Sequence, residues 1–367
     1  MSYLWYWPAG GWNFEKWKAA HDWSPITSEQ SGKAEPLPLV TDATTPAQWQ
    51  RDAMGWRKIS EQILGTVSEG PPTKFRSEAL GPKFSSEKYS LQRYRYTLTD
   101  EEWGFGWLLI PTHRRIRDAA VLALHQTVVL GKDEPVGLDM VPEADPGVYY
   151  AKELAERGFV VFAPDAIAFG ERQSDHRNAK YRNADQFFAA QPHASVMGKM
   201  AFDTSRAVDF LLQLPDLNIK RVGCVGHSHG AYGTLFAMVA DPRISVGVMS
   251  CGVSLLRDDP NPERWWQRTA LIPRLGFYAG KMDQTPIDFH HWLALIAPRP
   301  VLVIGGTADT IFPNQAALPK RLAEVRKLYK LLGQPDALQE FVFEGPHSFH
   351  PTARERGYAL LEKSLTA

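Results

Sequence analysis

The residues Gly226-His227-Ser228-His229-Gly230 carry the clearest chemistry in the chain. They follow a short apolar run (221–225) that reads as a strand and precedes a pattern (229–239) that reads as a helix. A G-x-S-x-G sequence in that context is a nucleophile elbow: the chain reverses so sharply that only glycine fits on either side, and the serine hydroxyl is thrust out. The N–H of His229 then sits at a helix N-terminus, where it can face a developing oxyanion. A serine hydroxyl is a weak nucleophile and needs a base.

The expected chain order on such a scaffold is serine, acid, histidine. A strand predicted over 300–304 runs into Gly305-Gly306-Thr307-Ala308-Asp309, which puts a carboxylate just past a strand end. A second, over 339–343, runs into Glu344-Gly345-Pro346-His347-Ser348-Phe349-His350. His347 is the candidate base, being nearer the strand end on a Gly-Pro-shaped loop; the rival His350 caps the closing helix or packs. In this scheme His347 accepts the Ser228 proton and Asp309 fixes the imidazole tautomer. A second oxyanion donor is expected from the loop after a strand at 119–124, as a backbone N–H of Gln126 or Thr127. His125 and His227, flanking these donors, are candidates for substrate contact, with local packing as the competing reading.

The elements that must position these groups follow from periodicity. Residues 89–98 and 103–110 predict an antiparallel hairpin. From 119 onward short apolar strands (119–124, 159–163, 221–225, 245–250, 300–304, 339–343) alternate with helices (147–157, 199–214, 229–239, 318–332, 352–365). Continuous apolar strands of this kind are covered on both faces. The fold class is therefore α/β, a doubly wound and mostly parallel sheet, whose ligands meet the carboxyl ends of the strands. Residues 1–80 read as an N-terminal Trp-rich extension with one helix over 47–64, and 81–367 as the catalytic domain. Residues 253–290 lack a strand signal and read as a lid-like insertion. The rings of Trp5, Tyr6, Trp7, Trp12, Trp17 and Trp23 predict an arm buried on the main domain, or else a pocket rim or a subunit contact that would make the chain a homo-oligomer.

Together these stretches resemble the α/β-hydrolases, in the branch of dienelactone hydrolases and acetyl xylan esterase-like proteins, which borders the prolyl-oligopeptidase-type catalytic domains. The resemblance covers roughly 88–367. It runs through Leu124-His125-Gln126-Thr127, Gly131-Lys132-Asp133-Glu134, Ala163-Pro164-Asp165, Phe169-Gly170-Glu171-Arg172, the Ser228 elbow, Leu295-Ile296-Ala297-Pro298-Arg299-Pro300, Asp309 and His347. It implies the α/β-hydrolase fold and a serine esterase for small acyl esters, acylated sugars among them, working through an acyl-enzyme. Dienelactone hydrolases proper use a cysteine where this chain has Ser228. A serine peptidase is the neighbouring alternative, but no propeller-length region is present to screen peptides. A non-catalytic binding protein on the same fold is the alternative from another class, and it usually has a damaged triad, whereas all three positions are filled here.

The remaining features exclude more than they add. Lys plus Arg and Asp plus Glu both number 41, so the formal net charge is zero and neither a nucleic-acid footprint nor a polybasic membrane signal is expected. No run of 18 apolar residues exists to span a bilayer. The N-terminus lacks the pattern of a secretory leader, and a cytoplasmic address is the expectation. Cys224 and Cys251 read as buried thiols. Gly131-Lys132-Asp133 lacks the glycine spacing of a phosphate loop. Adjacent His290 and His291 point about 100° apart on a helix, so they with Asp288 make a poor metal set. No metal or organic cofactor is expected, and Glu171-Arg172 reads as a buried ion pair near the site.

Overall fold

A computed structural model describes residues 12–26, 39–138, 146–173, 184–267 and 269–366. Its centre is a nine-stranded sheet in the order β1-β2-β3-β5-β4-β6-β7-β8-β9. The strands are β1 (Ser77–Ser85), β2 (Tyr89–Thr97), β3 (Trp103–Pro111), β4 (Ala119–Leu124), β5 (Val160–Pro164), β6 (Arg221–His227), β7 (Ile244–Ser250), β8 (Val301–Gly306) and β9 (Leu338–Phe343). Strands β4 to β9 run parallel to one another, and β1 to β3 lead in as an antiparallel meander.

The period of two along each strand divides the core into two layers. In β4, Ala120, Leu122 and Leu124 join one apolar cluster while Ala119, Val121 and Ala123 join the other. Helices α3 (Tyr150–Glu156) and α9 (Pro351–Thr366) cover the second layer. The first layer is covered by α5 (Val196–Leu212), α6 (His229–Ala240), α7 (Phe289–Ile296) and α8 (Leu318–Leu331). Burial on both faces is why these strands read as unbroken apolar runs. This is the doubly wound, mostly parallel sheet that the strand–helix alternation predicted, with the antiparallel lead-in.

The N-terminal elements are α1 (Phe14–Ala20) and α2 (Pro46–Leu64). A capping box of Thr45 and Gln48, with Pro46 in the first turn, starts α2. Phe14, Trp17, Trp49, Ile63 and Leu64 all enter the first core layer, so the described part of the extension is packed on the sheet's helices. Trp12 Nε1–H donates to the Trp266 carbonyl at 2.7 Å, and Trp292 Nε1–H to Ser60 Oγ at 2.8 Å. Trp5, Tyr6 and Trp7 lie outside the described residues. A further short helix, α4 (Ala184–Ala190), adds Phe187 and Phe188 to the same cluster.

Two expectations shift. The boundary at residue 80 falls inside β1, an edge strand exposed along nearly its whole length, so it shows no apolar alternation in sequence. Residues 253–290 contain no strand among those described, but they are packed: Val253, Leu255, Trp265, Leu271, Ile272 and Leu275 are all buried. No helix in the described residues is long and apolar enough to cross a membrane.

Candidate active site

The elbow is built by backbone crowding. A Cβ at Gly226 would lie 2.1 Å from the Gly230 carbonyl oxygen, and one at Gly230 would lie 1.9 Å from the Leu124 carbonyl oxygen. Both contacts are with backbone, so neither can relax by side-chain movement. Ser228, between β6 and α6, takes φ +55° and ψ −115°. For a non-glycine residue such a conformation costs on the order of 1–3 kcal/mol and persists only where its surroundings hold it. The hold is visible: Ser228 N–H donates to the Ser250 carbonyl at 2.7 Å, and its own carbonyl accepts from Ala231 N–H at 2.9 Å.

His347, on the loop after β9, and Asp309, on the loop after β8, form the second half of the site. Asp309 Oδ1 accepts the N–H groups of Ile311 at 2.8 Å and Phe312 at 2.9 Å. Asp309 Oδ2 lies 2.8 Å from His347 Nδ1. A carboxylate oxygen only accepts, so the imidazole proton belongs on Nδ1 and the lone pair on Nε2. Nε2 is buried and has no hydrogen-bond partner among the described residues. An unprotonated, unpartnered ring nitrogen is the form a general base needs. The ring stands 4.8 Å, centroid to centroid, from that of His227, the residue preceding Ser228. The rival His350 instead accepts Thr352 N–H at 3.2 Å in the first turn of α9 and stacks on Phe343.

The remaining histidines of the rim are committed to the scaffold. His125 Nδ1 lies 2.6 Å from the Gln126 carbonyl, so it donates there, and Nε2 accepts Ala166 N–H at 3.0 Å. Burial pushes its pKa down to about 4. Both ring nitrogens are thus occupied by backbone, which ties the loop after β4 to the loop after β5. His227 is held well below the usual histidine range, first by burial and then by the repulsion its charged form would meet from a protonated His347, and its Nδ1 lies 3.0 Å from Ser250 Oγ. His229 stacks on His125 at 5.7 Å, and burial takes it to about 3. The His229 N–H opens α6, and the candidate donors Gln126 and Thr127 follow directly on the Leu124–His125 carbonyls that pack against Gly230. Gln126 Nε2 donates to Glu134 Oε1 at 2.8 Å.

Glu171 and Arg172 are not paired with each other. Glu171 meets Lys132 at 2.8 Å and Arg93 at 3.7 Å, while Arg172 meets Glu102 at 2.6 Å and Asp203 at 2.7 Å. Adjacent residues in a tight turn point apart, so each found partners on a different strand or helix. Lys132, itself buried, is matched to the fully buried Asp165 at 2.8 Å. A cleft of about 550 Å³ lined by Glu102, Trp103, Phe105, Arg172, Phe187 and Lys199 opens over this charge network.

Sequence reasoning passed over Cys251 as a site neighbour. It too has positive φ, +51°, and its thiol donates to the Ser348 carbonyl at 3.4 Å, beside His347. Burial, then Asp309, pushes the thiol up to about 12, so it stays protonated. Cys251, Asp309 and His347 are the one set of three metal-type donors close together among the described residues, within 4.8 Å of one another. Two of the three already bond each other. His291 Nδ1 accepts Asp288 N–H, and Asp288 accepts Leu256 and Phe289 N–H, so Asp288 and His291 form a helix cap rather than a metal pair.

Known esterases are similar to this chain in sequence and in fold. A carbohydrate esterase of an unknown prokaryotic organism is 28% identical over 169 residues, covering 42% of this chain and 38% of its own. The 4-O-methyl-glucuronoyl methylesterase of Schizophyllum commune is 25% identical over 166 residues, covering 41% and 42%. The matched region thus spans less than half the length of these two relatives. Among solved structures, a glucuronoyl esterase from Solibacter usitatus superposes with a TM-score of 0.69 at 15% identity, over 95% of this chain and 99% of that one. A promiscuous esterase from a marine bacterial metagenome superposes at 0.66 and 16% identity, over 97% and 100%. Both likenesses are of fold. The model of the dienelactone hydrolase family matches residues 148–365, more than half of the chain and the whole stretch from α3 to α9 that carries Ser228, Asp309 and His347. The chain belongs to the dienelactone hydrolase family.

Proposed function

We propose that the protein is a serine carboxylic-ester hydrolase acting on small acyl esters, acylated sugars among them. The observation that carries this reading is a left-handed Ser228 at the strand–helix elbow together with an imidazole, His347, whose Nδ1 is held by Asp309, whose Nε2 has no partner among the described residues, and whose ring stands 4.8 Å from that of His227, the residue before Ser228. The relatives named as carbohydrate and glucuronoyl esterases support the sugar-ester class.

In the reaction, Ser228 Oγ attacks the ester carbonyl carbon while His347 Nε2 takes its proton. The carbonyl oxygen gains the negative charge and rests on the N–H of His229 and that of Gln126 or Thr127. Loss of one such donor typically costs about 10²–10³ in rate. The C–O bond to the alcohol then breaks, His347 returns the proton to the leaving oxygen, and the acyl group stays on Ser228. Water adds with His347 again as base, releasing the acid and restoring the serine hydroxyl. Asp309 stabilises the imidazolium in both halves. His125 acts as a strut holding the donor loop, and His227 as a wall beside His347.

The test is stopped-flow hydrolysis of an activated acetate ester, followed by a panel of acetylated sugars. The reading expects a burst of about one alcohol per chain, absent in Ser228→Ala. Undiminished turnover in that variant removes the assignment.

A further inference from the structure

The packed segment after β7 reaches the turn that holds Asp309 through one side chain, and nothing in the motif logic calls for it. Arg264 lies in a short 3-10 turn, Pro262–Trp265. Its guanidinium uses every edge. Nε donates to the Asn261 carbonyl at 3.1 Å, Nη2 donates to Asp259 Oδ1 at 2.9 Å, and Nη1 donates to the Ile311 carbonyl. The same group lies over the Phe312 ring, 5.1 Å from its centroid. Ile311 and Phe312 are the two residues whose N–H groups bind Asp309 Oδ1. The Phe312 ring in turn stands 5.8 Å from the His347 ring. The base of the clamp is rigid: the Asp259 side chain is fully buried, and its Oδ1 also accepts Asn261 N–H at 2.9 Å.

We infer that Arg264 is a positioning residue for the acid–base pair. It grips the carbonyl and ring of the 311–312 turn from outside, so that the turn's two N–H groups aim the Asp309 carboxylate at His347 Nδ1. This rests on the reading of Ser228, His347 and Asp309 given above. The chemistry selects arginine: a planar fork serves a carboxylate, two carbonyls and an aromatic face at once, whereas an ammonium is a single point of charge. The segment expected as a lid is, by this inference, a fixed support for the triad.

Four variants test this: Arg264→Met, which keeps the apolar stem, Arg264→Lys, Asp309→Asn, and Arg264→Met combined with Asp309→Asn. The first readout is the downfield proton resonance of His347 Nδ1–H in the full chain, which needs no substrate. The second is steady-state hydrolysis of an activated acetate ester, with urea unfolding to score stability separately. The inference expects the resonance to be lost or broadened in Arg264→Met. It expects kcat to fall by about 10²-fold, the scale of a small misplacement caused from outside the site, with KM within about twofold. Arg264→Lys should recover part of kcat. In the Asp309→Asn background the methionine substitution should cost almost nothing further in kcat, because the group it aims is already disabled. Independent, multiplicative losses in the double variant overturn the inference. So does an Arg264→Met protein with the resonance and kcat of the parent, whatever its stability. If the parent chain itself lacks the resonance and shows no burst, the acid–base reading fails first and the inference fails with it.

Discussion

Five histidine rings, His125, His227, His229, His290 and His291, are each at most 2% exposed. Burial is the largest cause of a lowered pKa in every one, to about 4 for His125 and about 3 for His229 and His290, and well below the ordinary value for His227 and His291. In the unfolded chain the same rings titrate near 6.5. Below that pH the unfolded state binds protons that the folded state refuses. Stability is therefore full above about pH 6.5 and falls as pH drops, levelling near pH 4 for His125 and near 3 for His229 and His290. His125, His229 and His290 each lose about 1.4 kcal/mol per pH unit, or about 2 kcal/mol by pH 5 and on the order of 6 kcal/mol together, and His227 and His291 act in the same direction. Asp288 opposes this. Burial raises its carboxyl to about 6, so on acidification the folded state takes up that proton first and gains a little over 1 kcal/mol by pH 5. The net loss, about 5 kcal/mol before His227 and His291 add to it, already reaches the lower end of the stability of an ordinary domain, roughly 5–15 kcal/mol. Tryptophan fluorescence and urea titrations from pH 7.5 downward should show steep destabilisation beginning below pH 6.5 and acid unfolding near pH 5. His290→Leu should make the slope shallower by about one proton. A urea midpoint unchanged between pH 7 and pH 4.5 would refute the reasoning.

Two further outcomes follow from contacts already described. Gly230→Ala sets a Cβ against the Leu124 carbonyl and must shift either the elbow or the donor loop, so kcat/KM on an activated ester should fall by about 10² or more even where the chain still folds. Lys132→Met strips the buried Asp165 carboxylate of its closest cation and should cost about 3–5 kcal/mol in urea unfolding at pH 7.5.

The positions of the candidate nucleophile, acid and base were legible because each obeys a local rule. An apolar strand covered on both faces is visible in sequence, and so is what stands at its carboxyl end. Residues 226–230, 309 and 347 all occupy such ends. The doubly wound, mostly parallel sheet was legible for the same reason. What escaped notice depends on contacts between distant segments. Strand β1 is exposed on both faces and has no pattern to read. Glu171 and Arg172 are neighbours in sequence yet serve different partners, because the turn separates their side chains. His125 resembles a substrate contact until the backbone groups at both ring nitrogens are seen. Arg264 meets Ile311 across 47 residues, and no spacing rule announces that.

The central claim is that Ser228 is the nucleophile and His347 its base. The most direct measurement is peptide mapping by mass spectrometry after brief exposure to a serine-directed fluorophosphonate. The account predicts a single adduct on the peptide containing Ser228, with its rate of formation reduced by orders of magnitude in His347→Gln. An adduct on another residue, or labelling of Ser228 at an unchanged rate without the imidazole, would contradict it.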